Sequence, residues 1–205
     1  MNNKKGLFIT FEGIDGCGKT TQIELLDKYL KEKNYSTVKT FEPGGCDIGK
    51  NLRQILLHYD GYVSDIAELL IFLADRAQHS ETIILKNINE NRVVLCDRYT
   101  DSTVAYQGYG REQDIEKINL LNDIATNKLQ ADITFLFDVD VEVGQARVGK
   151  TKDRLEQEGL NFHKRVRDGY LELAKKYPNR IKVINANLSI EEVFNQVKKA
   201  IDEIL

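Results

Sequence analysis

The chain has 205 residues, with 29 Lys and Arg against 32 Asp and Glu and a formal net charge of −3 at pH 7. That length suits one α/β domain over residues 1–205 with a substantial core, and the mild negative charge excludes the basic footprint of a duplex nucleic-acid binder, so any anion site must be a local gathering of Arg and Lys. Cys17, Cys46 and Cys96 lack C-x-x-C spacing, which argues against a disulfide framework or structural zinc; with no secretory leader and no apolar run of about 18 residues, a soluble cytoplasmic protein away from membranes is expected.

In chain order, strand-like runs fall at Leu7–Glu12, Thr37–Phe41, Arg92–Asp97, Ile133–Asp138 and Ile181–Ile184, with helical patterns between them. Such alternation implies a parallel sheet, and the nearly unbroken apolar runs at Val93–Cys96 and Ile133–Phe137 suit strands covered on both faces. Ligands of such sheets gather outside the carboxyl ends of the strands, where Gly13, Glu42, Asp97 and Asp138 fall.

The first strand runs straight into Gly13-Ile14-Asp15-Gly16-Cys17-Gly18-Lys19-Thr20, the spelling G-x-x-x-x-G-K-T, and then into a helical pattern. Glycines there let backbone N–H groups curl around one anion, and the helix N-terminus adds its positive end. Lys19 is expected to reach the β/γ-phosphates, and the Thr20 hydroxyl to ligate Mg²⁺. Ser64 to Asn91 reads as a single helix starting near Ser64 or Asp65, whose apolar middle, Leu69–Ala74, is expected to be buried nearly all round.

Asp97 closes the third strand, where P-loop enzymes keep an acid for Mg²⁺, and Arg98 projects from there to hold a second phosphate. Around Gly149, Arg147, Lys150, Lys152 and Arg154 form a basic, hinge-like stretch suited to a lid over about residues 147–160, and Asp153 with Glu156 reads as a capping box opening the next helix. Ile190, Val193, Val197 and Ile201 mark a terminal helix. His58, His79 and His163 fall at no strand end and read as surface or packing residues, so a His-dependent mechanism has no support.

The stretches Phe11–Thr21, Glu42-Pro43-Gly44-Gly45, Asp97-Arg98-Tyr99, Ala105-Tyr106-Gln107-Gly108 and Asp153-Arg154-Leu155-Glu156, in this order and spacing, resemble the thymidylate kinases, a family of P-loop nucleoside monophosphate kinases. The resemblance implies a doubly wound five-stranded parallel sheet with helices on both faces, the P-loop NTP hydrolase fold. It implies a homodimer that transfers the γ-phosphoryl of ATP to dTMP with Mg²⁺.

Residue by residue it implies that Gly13, Ile14, Asp15, Gly16, Cys17, Gly18, Lys19, Thr20 and Thr21 hold ATP and that Thr20 and Asp97 hold the metal. Arg53 and Arg98 would take the acceptor's phosphate, with Asp15 near its 3′-hydroxyl and Pro43 in the turn beneath it. Phe72 would stack on thymine, Arg76 would bond a keto oxygen, and Thr103 and Gln107 would face the base. Four-residue spacing agrees with both pairs, since such residues share a helix face.

Lys19, Arg98, Asp97, Asp15, Arg154 and Lys150 make up the implied catalytic set. Gly16 places the chain with members whose catalytic cation lies on the lid, without deciding among Arg147, Lys150, Lys152 and Arg154. Asn185 stands where the family has Asp beside the adenine. Two alternatives remain at this point: a kinase acting on another nucleoside monophosphate, and a nucleotide-dependent switch, for which Asn127-Lys128-Leu129-Gln130 lacks the final Asp of the guanine-reading N-K-x-D.

Overall fold

The computed structural model of the protein describes residues 6–149 and 153–205. In chain order these form β1 (Leu7–Glu12), α1 (Lys19–Glu32), β2 (Thr37–Phe41), α2 (Asp47–His58) and α3 (Asp65–His79). A π-helical stretch (Ser80–Leu85), α4 (Lys86–Asn89), β3 (Val93–Asp97), α5 (Thr100–Thr103) and a second π-helical stretch (Val104–Gly110) follow. The chain closes with α6 (Ile115–Thr126), β4 (Ile133–Asp138), α7 (Val141–Arg147), α8 (Leu160–Lys176), β5 (Ile181–Asn185) and α9 (Ile190–Asp202).

All strand pairings are parallel, in the order β2-β3-β1-β4-β5. The chain winds from β1 to one side and later to the other, so the crevice beyond the carboxyl end of β1 is the topological switch point. Strand alternation sorts the core into two layers. Ile9 and Phe11 of β1 and Leu95 of β3 join the main apolar cluster with Leu26 and Leu30 of α1, whereas Phe8, Val94 and Cys96 face the other way and pack with Ile84 and Tyr99. Among the described residues no helix is long and apolar enough to cross a membrane.

Three expectations change. Ser64 does cap α3, accepting from the Ala67 N–H at 3.4 Å, but the helical stretch to Asn89 is interrupted by the π-helical turns. Its middle is not buried all round: Leu69 and Leu73 face the core, while Leu70 is 51% exposed and Ile66, one turn earlier, 57%. The capping-box bonds form at Asp153 and Glu156, each backbone N–H donating to the other's carboxylate at 2.9 Å, yet they close an isolated turn, and α8 starts after Gly159.

At the other end, Ser189 and Glu192 form a reciprocal capping box for α9, which lays Val193, Val197 and Ile201 against the core beside α1. Ile201 is fully buried. Ile201→Ala is expected to cost about 2–4 kcal/mol by transfer plus cavity formation, read as a lower urea midpoint with an unchanged m-value.

Candidate active site

β1 delivers the chain to the phosphate loop with Glu12 fully buried beneath it. Gly16 turns at φ +74°, and a Cβ there would sit 2.1 Å from the Gly144 carbonyl oxygen, so only glycine fits between the loop and α7. Gly18, the N-cap of α1, offers no side chain to the first-turn N–H groups, which remain for an anion. Lys19 is buried, with Nζ donating to the Gly13 and Ile14 carbonyls at 3.2 and 3.3 Å. The cleft over this loop is lined by Lys19, Thr20, Thr21, Asp97, Arg98 and Arg147, among others.

A second cavity adjoins it, lined among others by Asp15, Pro43, Arg53, Phe72, Arg76 and Gln107. Thr103 and Arg98 line it too. The structure thus gathers around one cavity every residue expected to meet the acceptor, although they come from five separate stretches of chain.

Arg98 joins the two spaces. Its backbone sits at φ +70°, a left-handed conformation that a long side chain adopts at a cost, and its N–H is held by the Phe11 carbonyl at 2.9 Å. The guanidinium donates to the Gly13 carbonyl at 3.1 Å and to the Tyr170 and Tyr106 hydroxyls, each at 3.2 Å, and pairs with Asp15. Burial alone would raise the Asp15 pKa, but Arg98, with Lys19 behind it, pulls it down to about 2. Beneath them Glu12 accepts from the Tyr99 N–H (2.7 Å), Ser102 Oγ (2.6 Å) and Tyr170 Oη (3.0 Å), while burial and the Asp101 carboxylate push its pKa up to about 7.

At the far end of the cavity Arg76 is buried. Nε donates to Glu42 at 2.8 Å, Nη1 to Thr103 Oγ1 and to Asn122 Oδ1 (2.8 Å), and Nη2 to the Tyr99 carbonyl (2.9 Å). Of its five N–H donors, one on Nη2 has no acceptor among the described residues. Gln107, also buried, donates Nε2 to Glu68 at 3.0 Å. The partly buried Phe72 packs on the main core cluster while lining the same space.

The basic stretch divides. Arg147 lines the phosphate-loop cleft and donates to the Ala186 carbonyl at 3.3 Å. Arg154 turns away from the phosphate loop: Nη2 lies 2.6 Å from Glu68, and Nε donates to the Leu56 carbonyl at 2.9 Å. Lys150 and Lys152 lie outside the described residues. Asn185 caps locally, its Oδ1 accepting from the Asn187 N–H at 3.1 Å.

Supporting residues escaped the sequence reading. His79 is buried between Glu42 Oε1 (2.8 Å) and Thr40 Oγ1 (2.6 Å), so it braces the acid that holds Arg76. Ser102 and Tyr106 share the four-residue spacing of Thr103 and Gln107, a signal that could have found them. Glu68 and Tyr170 are remote in sequence from what they contact and carry no local signal.

Asp97 and Thr20 pass a test as metal-holding groups. Asp97 Oδ1 is buried with no hydrogen-bond partner among the described residues, an oxygen in want of a cation or its waters, and Thr20 lines the same cleft.

A phosphate loop at the switch point of a five-stranded parallel sheet, with an arginine-lined cavity against it, defines a P-loop protein of the NTP hydrolase fold. A family profile described as thymidylate kinase matches residues 11–197. Thymidylate kinase of Nostoc punctiforme is 47% identical over 205 residues, covering 98% of this chain and 95% of that protein. That of Clostridium novyi is 43% identical over 199 residues, covering 95% and 97%. The crystal structure of thymidylate kinase from Ehrlichia chaffeensis superposes with a TM-score of 0.81 at 38% identity, covering 96% of this chain and 99% of that one. The chain belongs to the thymidylate kinase family.

Because the Asp15 pKa is depressed from its ordinary 3.8 to about 2, its pairing stabilises the fold above the unfolded-state value and is lost as pH falls through the folded one. Relative to Asp15→Asn, the wild-type chain is expected to be about 2 kcal/mol more stable at pH 6, with the gap closing between about pH 4 and 2 in urea titrations.

Proposed function

We propose that this protein phosphorylates dTMP, moving the γ-phosphoryl of ATP onto the monophosphate to give dTDP and ADP. The observation that carries the reading is Arg98, held between a loop built for polyphosphate and a cavity ending in buried polar groups suited to a base. The acceptor's phosphate oxygen is already anionic, so no base has to take a proton, and positioning with charge neutralisation suffices. Lys19 serves the donor's terminal phosphates and Arg53 the acceptor's, while Arg98 stands between, where negative charge spreads in the transition state. Asp97 and Thr20 would hold Mg²⁺, which when bound neutralises charge on the phosphates. Phe72 offers an apolar face to thymine; Arg76 offers a donor, and Gln107 an amide.

The same proposal takes residues 1–205 as one kinase domain with a lid over about 147–160, working in the cytoplasm. It takes the protein as a homodimer. In support, Ile48 and Ile55 of α2, Ile66 and Leu70 of α3, and Leu120 and Ile124 of α6 are exposed on three helices that pack in that order, an apolar face of the kind two copies bury against each other. Leu70→Glu is expected to convert the dimer to monomer in size-exclusion chromatography with light scattering; an unchanged mass removes α3 from the interface.

A coupled assay across dTMP, dUMP, dCMP and dGMP tests the activity. Turnover is expected to be greatest on dTMP or dUMP, and a purine or cytosine nucleotide in first place overturns the reading. Lys19→Ala and Arg98→Ala are each expected to lower kcat by about 10²-fold or more with the far-UV spectrum retained. Phe72→Ala is expected to weaken dTMP binding by about 1–3 kcal/mol in calorimetry.

A further inference from the structure

Glu68 lies in none of the stretches that carry the family resemblance, and it does not line the cavity. It is fully buried one turn before Phe72 on α3, and three donors converge on it. Gln107 Nε2 donates to Oε1 at 3.0 Å, Arg111 donates through Nε at 3.3 Å and Nη2 at 3.2 Å, and Arg154 Nη2 lies 2.6 Å from Oε2. Burial alone would raise its pKa, but the hydrogen bonds from Arg111 and Gln107 outweigh that and hold the carboxyl below the usual range. An ionised carboxylate can only accept hydrogen bonds.

We infer that Glu68 is the positioning residue that sets the base specificity of the acceptor cavity, by fixing which end of the Gln107 amide faces the base. This rests on the proposed use of a thymine nucleotide. Since Glu68 cannot donate, the Gln107 amide turns its NH₂ to the carboxylate and leaves Oε1 to the cavity, where it accepts from no described residue. Arg76 lines the same cavity, and one N–H on its Nη2 has no acceptor among the described residues.

Beside the Thr103 hydroxyl, the cavity therefore offers the base the Arg76 N–H as a donor and Gln107 Oε1 as an acceptor. A thymine or uracil edge, with a keto oxygen beside N3–H, complements both; a cytosine edge, with an amine beside a bare N3, opposes both. A flipped amide would offer Nε2 to cytosine N3 instead. Glu68 blocks that flip at a distance, because the flipped amide would set Oε1 against a carboxylate.

Glu68→Gln tests this without changing shape. Arg111 Nη2 and Arg154, which face Oε2 in the wild type, hold the new Oε1 on their side, and Arg111 Nε shifts to Asp65 Oδ1, already 3.6 Å away; the new amide NH₂ then donates to Gln107, and the Gln107 amide turns over. The dTMP-to-dCMP ratio of kcat/KM is expected to fall by about tenfold or more, with kcat/KM for dCMP rising in absolute terms. It is not expected to invert, since the remaining Arg76 N–H still meets the cytosine amine. Glu68→Asp keeps an acceptor-only group and is expected to keep the ratio within about threefold of wild type while lowering both rates.

A loss of packing or of the Arg154 contact would depress both substrates together and leave the ratio alone, so an unchanged ratio in Glu68→Gln overturns the inference. Equal loss of discrimination in both variants overturns it too. Wild-type protein inactive on dTMP would sink the functional reading itself, and that arm involves no change at Glu68. If the Gln variant does not fold, the wild-type complex decides: with dTMP bound, one Gln107 side-chain amide proton is expected to keep its NMR shift, held by Glu68, while the other moves. Nε2 rather than Oε1 facing N3 in a crystal of that complex overturns the proposal.

Discussion

The site depends on one guanidinium kept in a place where neither its backbone nor its surroundings are comfortable. Arg98 takes a left-handed φ immediately after a buried strand, and the strain persists because the Phe11 carbonyl holds its N–H while four side chains and the Gly13 carbonyl receive its guanidinium. Those contacts come from the phosphate loop, from the helical stretch after β3 and from α8. The arrangement therefore exists only when the sheet is assembled and α8 is docked. Fold and chemistry meet at this residue, and its position fixes the distance between the two cavities.

Buried acids do the same for the other arginine. Arg76 is ion-paired to Glu42, and Glu42 is braced by His79 on its second oxygen. Asp75 Oδ1 accepts from the Gly44 N–H at 3.1 Å, so α3 also ties down the turn after β2, and burial with the Glu42 charge raises the Asp75 pKa to about 6. Buried ion pairs of this kind contribute little net stability, because desolvation offsets their attraction, but losing one partner leaves a stranded charge. Their effect here is geometric: Arg76 keeps one rotamer with a single N–H unspent.

Local patterns exposed the parts of this protein whose logic is local. The phosphate loop, the strand ends and the capping of α9 follow from spacing and composition over a few residues, and the strands lie where alternation and apolar runs place them. Leu70 shows the limit: a run of apolar residues says that a helix is greasy, not that every face of it has a partner within the same chain. Arg154 shows another. Its charge pattern pointed toward phosphate, but a buried carboxylate 86 positions earlier, invisible from the lid's own sequence, competes for it. Glu12, Tyr170 and Glu68 belong to the same class, since what they do depends on which distant residue the topology delivers.

The charge ledger of the two cavities explains how a chain of net charge −3 can host two anion sites. Arg98, Arg76, Arg111, Arg154, Arg167 and Arg180 each have a carboxylate within ion-pair distance. Lys19, Arg147 and Arg53 do not: among the described residues Lys19 donates to two carbonyls and a thiol, Arg147 to the Ala186 carbonyl, and Arg53 to the Pro43 carbonyl at 2.7 Å beneath the Phe41 ring. A carbonyl orients a cation without neutralising it, so these three keep their demand for negative charge. Lys19 and Arg147 face the phosphate-loop cleft, and Arg53 also lines the adjoining cavity. Unneutralised cations thus stand in both spaces, with the paired Arg98 between them. That is the distribution expected of a protein that brings two phosphates together and must not trap either with more charge than its release allows.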